Sequence, residues 1–261
     1  MPRALFTAAS GMVAQQLNID NIAHNLANVN TTGFKRARLE FQDLLYQRMR
    51  IAGTGTSRDT EVPAGLQIGH GTRPVATERN FGNGPLQATE TATDLAVEGS
   101  GLFQIRLPSG ELAYTRSGAF KIDSRGQLVT QDGFPLEPPV VLPTDVTDLA
   151  VGSDGTITVM TATRTSTVQI GQIQLANLLN KGALEPMGKN MYRVTGDPGD
   201  IHLGAPGSDG FGTIAQGFLE SSNVRVVEEM IALITGQRAY EASSKVIQTA
   251  DRMLEDANRL R

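Results

Sequence analysis

Residues 5–29 read LFTAASGMVAQQLNIDNIAHNLANV, and their spacing decides the fold. Leu5, Met12, Ile19 and Leu26 fall every seven residues, with Ala8, Gln15, Ile22 and Val29 interleaved so that the steps alternate between three and four. This is the pattern by which one helix buries a narrow stripe against another. At about 1.5 Å per residue the run makes a rod of roughly 40 Å. Periodicity alone also fits an amphipathic helix lying on an ordinary core. A second stripe favours a helix–helix contact: Asn18, Asn21, Asn25 and Asn28 repeat the same steps one position ahead of the apolar line. Asparagine is a mediocre helix former, so four aligned amides cost stability unless they are used, and amides across a contact between helices fix its register. The helix is expected to end near Asn30-Thr31-Thr32-Gly33, with Gly33 in a left-handed cap.

The pattern returns at the other end of the chain. Val226, Leu233, Tyr240, Ile247 and Leu254 again lie on sevens, and Val246, Ala250, Met253, Ala257 and Leu260 broaden the stripe. Ser222 or Asn223 is the expected cap, with Glu228 and Glu229 placed favourably for the helix dipole. Beside the seam runs a wholly polar line of Gln237, Glu241, Ser244, Gln248, Asp251, Glu255 and Asn258. Arg238, Lys245, Arg252 and Arg259 repeat every seven on another face, the arrangement of a helix packed on several sides. Both helices lead into the same central region, so a side-by-side pair must run antiparallel. One shared seam leaves flanking stripes bare, and further copies of the chain are the simplest cover. Leu5, Met12, Ile19, Leu26, Val226, Leu233, Tyr240, Ile247 and Leu254 are therefore the expected subunit-packing residues.

Helix breakers are kept out of these ends. Eleven of the twelve prolines lie from Pro63 to Pro206, and Pro2 sits where a helix tolerates it. Residues 46–73 are poorly periodic and rich in Gly and Thr, which reads as a linker or as an extended hairpin ordered by neighbours. From 74 onward the reading is β-rich. Gly101–Leu107, Leu112–Thr115 and Gly118–Asp123 alternate as half-buried strands, with turns at Ser109-Gly110, Arg125-Gly126, Asp132-Gly133 and Asp154-Gly155. The expected fold is α+β. A discontinuous α-helical coiled-coil domain is built from 1–45 and 216–261, a linker or hairpin spans 46–73, and a β-rich outer domain spans 74–215.

The chain has 261 residues, a net charge of −4 and no cysteine. Disulfides, thiol nucleophiles and zinc–thiolate sites are excluded, and the charge balance argues against a nucleic-acid partner. Lys35-Arg36-Ala37-Arg38 is the densest basic patch and reads as a solvated surface cluster. The N-terminus has spaced rather than continuous apolar residues, unlike a signal peptide, and no run reaches the roughly 20 apolar residues of a membrane span. His24, His70 and His202 have no ligand-spaced partners, and Gly69-x-Gly71 and Gly99-x-Gly101 are not full dinucleotide fingerprints. Asp197, Asp200 and Asp209 lack the spacing of a calcium loop and read as turn residues. No metal, cofactor or enzymatic activity is expected.

The segment Asn25-Leu26-Ala27-Asn28-Val29-Asn30-Thr31-Thr32-Gly33-Phe34-Lys35-Arg36 resembles the N-terminal signature of bacterial flagellar rod and hook proteins. Ser221-Ser222-Asn223-Val224, Met230-Ile231 and Gln237-Arg238-Ala239-Tyr240-Glu241 resemble their C-terminal signature, and Tyr114-Thr115-Arg116-Ser117-Gly118-Ala119-Phe120 matches in the middle. Asp43–Tyr46, Glu61–Gly69 and Gly71–Glu78 are similar to the members that form the distal rod, with proximal rod and hook-type members as the alternative. The resemblance implies a helical homopolymer that spans the periplasm, carries torque to the hook and encloses an export channel. It implies as partners other copies of the chain, proximal rod proteins, the hook protein and the outer bushing rings, with no membrane insertion. It also implies export through the flagellar type III apparatus. The terminal helices would form the inner tube, with the polar line from Gln237 to Asn258 as channel lining.

Overall fold

The computed structural model describes all residues except 1, 52–54, 58–59, 62, 144, 162–163, 196–198, 200, 209 and 260–261. Asp197, Asp200, Asp209 and Leu260 thus lie outside the described residues. The fold is mixed α+β, with two long helices at the ends and strands between them. Neither helix is long and apolar enough to cross a membrane, among the described residues. Two compact units share the chain. One holds residues 1–27, 37–78 and 225–261, and the other holds 28–36 and 79–224. Segment 46–73 falls inside the first.

In the first unit, α1 (Pro2–Ala27) and α2 (Val226–Arg259) pack against each other. Proline at the first helical position costs nothing, because its missing N–H would be unpaired there in any case. Glu228 and Glu229 in the first turn of α2 suit the positive end of its dipole. Strand Ala37–Asp43 pairs with Thr72–Arg79, and Tyr46–Arg50 pairs antiparallel with Leu66–Gly69. The described residues of 37–50 and 66–79 thus pair as a two-stranded ribbon, and Leu45, Tyr46, Met49, Ile51, Leu66 and Val75 are each more than half exposed.

The second unit is built on a seven-stranded sheet of described residues. Its order is Leu184–Gly188, Met191–Val194, Leu112–Thr115, Leu102–Arg106, Leu175–Leu178 and Ile201–Gly204, with Leu136–Glu137 also on Leu102–Arg106. The sequence reading made Leu102–Arg106 half-buried, but the strand is covered on both faces. Phe103 points into a core with Phe120, Leu128, Leu136, Ile157, Ile173 and Leu175, while Leu102 joins Tyr114, Ala176, Leu178 and Tyr192 opposite. Alternation of side chains across the pleat sends neighbours to opposite faces. An apolar-polar rhythm is lost when both faces are dry, and Gln104 is buried along with them. Phe120 meets Phe103 edge-on at 5.2 Å. A second sheet of Val146–Val151, Thr156–Thr161 and Arg164–Gln172 supplies Leu149, Ile157 and Val159 to the first core. The expected glycine turns are present, with Gly110, Gly126, Gly133 and Gly155 all left-handed.

The ends of this unit are closed by distant parts of the chain. Leu95–Glu98 pairs with Thr213–Gln216, and Leu86–Ala88 pairs with Phe218–Glu220. The turn after α1 departs from expectation. The helix stops at Ala27, and Gly33, at φ +71°, lies six residues beyond instead of capping it. Its N–H donates to the Glu220 carbonyl at 2.7 Å, and a Cβ there would sit 2.7 Å from the Ser117 nitrogen. Glycine is required because backbone passes against backbone. Asn223 is not a helix cap either. Its Oδ1 accepts from the Arg36 N–H, and its Nδ2 donates to the carbonyls of Asn80 and Gly82.

Candidate functional site

The face that the two helices share is defined by three contacts. The Asn25 amide donates to Glu229 Oε2 at 3.4 Å. A Cβ on Gly236 would lie 3.3 Å from Ile19 Cγ1 and 3.9 Å from Asn18 Nδ2. A Cβ on Gly11 would lie 3.6 Å from Ser243 Oγ. Each step moves seven residues back along α1 and seven forward along α2, so the pair is antiparallel and keeps one register over four turns. The line on α2 that faces α1 is Glu229, Gly236, Ser243 and Ala250, of which all but Ser243 are buried and Ser243 is half-buried. Small residues let the two backbones approach closely. Gly236 and Ser243 carry no hydrophobic signal in the sequence, and the line falls midway between the large apolar positions in the same three-and-four rhythm.

Of the expected packing residues Ile19 meets Gly236 on the shared face, and those on α2 flank the Glu229–Ala250 line. Leu5, Met12, Ile19, Leu26, Leu233, Ile247 and Leu254 are half-buried, while Val226 and Tyr240 are exposed. On α1 the fully covered apolar positions are Ala8, Ala14 and Ile22. A further set of large apolar side chains points away from the pair: Phe6, Val13 and Leu17 on α1, and Val227, Met230, Ile231 and Ile234 on α2. Phe6 is 74% exposed and Val227 70%. At about 25 cal/mol per Å² of apolar area, covering what remains exposed of such residues yields on the order of 1–2 kcal/mol each, so they gain from a partner. In the polar line, Gln237, Glu241, Gln248, Asp251, Glu255 and Asn258 are exposed and Ser244 is half-buried.

Three asparagines of the stripe, Asn21, Asn25 and Asn28, are hydrogen-bonded, in part to main chain. Asn25 both donates to the Ala37 carbonyl at 2.8 Å and accepts from the Ala37 N–H at 3.0 Å, and Asn21 donates to the same carbonyl at 2.9 Å. These bonds pin the first ribbon strand to the end of α1. Asn28 Oδ1 accepts from Thr31 Oγ1 at 3.2 Å, closing the turn that follows.

Inside the second unit lies an ionic cluster that overturns the reading of Lys35 as a surface cation. Lys35 and Glu220 are each 1% exposed, and the ammonium donates to Glu220 Oε1 at 2.7 Å and to the Gly82 carbonyl at 2.8 Å. Arg116 donates through Nε to Glu220 Oε2, through a terminal nitrogen to the Gly101 carbonyl, and through the other to the Val97 and Gly99 carbonyls and to Asn83. Burial pushes the Glu220 carboxyl up, but the Arg116 guanidinium and the Lys35 ammonium outweigh it and hold it below the ordinary value. For Lys35 burial wins, and its ammonium is held below the usual lysine range in spite of Glu220. One carboxylate serves two cations, so the carboxylate is well compensated and Lys35 is not. The cluster ties together three distant stretches of the chain. No local sequence signal marks it, because its members are 104 and 185 residues apart. Of the basic patch, Arg38 alone is exposed, pairing with Glu40 and Glu78.

The comparisons agree with this layout. Residues 5–35 match the flagella basal body rod protein family, 96–159 the flagellar hook protein FlgE/F/G D1 domain, and 215–260 the flagellar basal body rod FlgEFG protein C-terminal family. The chain is 47% identical to the flagellar basal-body rod protein FlgG of Borreliella burgdorferi, over all of this chain and 99% of that one. It is 48% identical to FlgG of Caulobacter vibrioides over 99% of both chains, against 32% to FlgF of the same bacterium over 95% of this chain and 93% of that one. The chain belongs to the flagellar basal-body rod protein FlgG family.

Proposed function

We propose that the chain is a structural subunit of the distal part of the flagellar rod. It polymerises into a helical tube that carries torque from motor to hook and encloses the export channel. The observation that carries this reading is the end-to-end similarity to FlgG proteins, which exceeds that to FlgF by a wide margin within one organism. Proximal rod proteins, the hook protein and the outer bushing rings are the partners the reading assigns, and no catalytic role is assigned.

Within the tube, α1 and α2 form the inner layer as a coiled-coil-like pair. Leu5, Met12, Ile19, Leu26, Val226, Leu233, Tyr240, Ile247 and Leu254 complete their burial against other copies, together with Phe6, Val227 and Ile231. Asn18, Asn21, Asn25 and Asn28 hold register. The exposed polar line from Gln237 to Asn258 supports a channel-lining role, since amides, a hydroxyl and acids offer little apolar surface to an unfolded passenger. The apolar ribbon over 46–73 is covered by neighbouring subunits, because an isolated two-stranded ribbon is marginal in water. The β-rich domain forms the outer wall.

Replacing Leu233 or Ile247 by Asp tests the assignment. Either substitution is expected to abolish motility and rod growth while near-ultraviolet dichroism from Tyr114 and Tyr192 stays native. Normal motility in either variant contradicts the packing assignment.

A further inference from the structure

Two buried cations, Lys35 and Arg116, share the single carboxylate of Glu220, which leaves one positive charge in surplus inside the second unit. Among the described residues Glu220 is the one carboxylate that either cation touches. Their donors are not all engaged. Lys35 has three N–H groups and donates to two acceptors, and one terminal nitrogen of Arg116 donates to the Gly101 carbonyl alone. Beside them is a cavity of about 20 Å³ lined by Lys35, Arg116, Ser100, Gly101, Asn177 and Lys181. A third cation, the exposed Lys181, thus adds to a wall that carries no acid. The field of Lys181 and Arg116 also bears on Lys35, whose ammonium is already disfavoured by burial. A buried unpaired charge is costly, and the structure provides room, donors and field for the missing counter-charge.

We propose that this cavity binds one small monovalent anion of about the size of chloride, held by the free donors of Lys35 and Arg116 with Lys181 at its mouth. The size sets the class. The enclosed room, about 20 Å³, suits a body little larger than a water molecule, which favours a monatomic anion over phosphate or sulfate. The anion neutralises the surplus charge and so stabilises the second unit, in which residues 28–36 are tied to residues 79–224.

The test uses the full chain, in sodium chloride and in sodium gluconate at equal ionic strength, because gluconate is too large to enter. Thermal unfolding is expected to occur about 3–5 °C higher in chloride once its concentration is tenfold above the dissociation constant. The chlorine-35 resonance of the buffer is expected to broaden with added protein and to narrow again on competition with bromide. Lys35→Met removes the surplus charge and should abolish both effects. Lys181→Gln, at an exposed position that leaves the fold intact, should weaken the broadening several-fold. Equal melting temperatures in the two salts, with an unbroadened chlorine resonance, would overturn the proposal. The carbonyls of Gly82, Val97, Gly99 and Gly101 would then solvate the charge by themselves.

Discussion

Replacing Glu220 by Gln changes the shape of the buried cluster little and its charge by one. The carboxylate accepts from Lys35 at 2.7 Å, from Arg116 and from the Gly84 N–H at 2.7 Å. The amide keeps one acceptor oxygen and turns an NH₂ toward a cation, leaving two buried charges without a carboxylate between them. Removing one partner of a buried pair costs about 3–5 kcal/mol, a large share of the 5–15 kcal/mol that holds a domain together. At roughly 2 kcal/mol per molar urea the unfolding midpoint should fall by about 2 M. Lys35→Met is the informative control. It leaves Glu220 and Arg116 as a one-to-one pair, and the Gly82 carbonyl keeps its bond from Asn223 at 3.1 Å. Its expected cost is only about 1–2 kcal/mol. The assay is urea unfolding of the full chain by near-ultraviolet dichroism, which reports on Tyr114 and Tyr192 because the chain has no tryptophan. Both tyrosines are buried in the second unit. A Glu220→Gln variant that is as stable as Lys35→Met would refute the charge argument.

Other outcomes follow from the same geometry. Gly236→Ala should change stability by less than about 0.5 kcal/mol, because roughly 1 kcal/mol of helix propensity offsets the crowding of Ile19. Gly236→Leu should instead cost about 1–3 kcal/mol by wedging α1 from α2, read as an earlier loss of far-ultraviolet helical signal on heating. Gly33→Ala places a Cβ against backbone in a left-handed residue and should cost about 2–4 kcal/mol in the same urea assay. Because the folded pKa of Glu220 is depressed, its contribution is complete above the unfolded value of about 4.3 and is lost as pH falls through the folded one. Melting temperature should therefore drop in acid, and the drop should be shallower in Glu220→Gln; parallel acid profiles would contradict this.

The helices were legible because their signal is periodic and local: Leu5 to Leu26 and Val226 to Leu254 announce themselves on sevens. What sits on the shared face was not, since glycine and serine at 236 and 243 carry no hydrophobic signal and matter through backbone approach. Asn25 stands out in the sequence as an amide of a register stripe, whereas its main partner is the Ala37 backbone, which no side-chain pattern predicts. Lys35 was misread because sequence neighbours Arg36 and Arg38 suggested a solvated patch. Its burial is fixed by Glu220, which strand pairing of Phe218–Glu220 with Leu86–Ala88 brings into place. Strand Leu102–Arg106 was found but its environment was not, because covering both faces erases the alternation that distinguishes inside from outside.

Electron microscopy of basal bodies from the source bacterium lacking this gene tests the central claim most directly. The account predicts a rod that stops after its proximal part, with no hook beyond it, restored by the intact gene and not by the Leu233→Asp form. A complete rod bearing a hook and filament would contradict it.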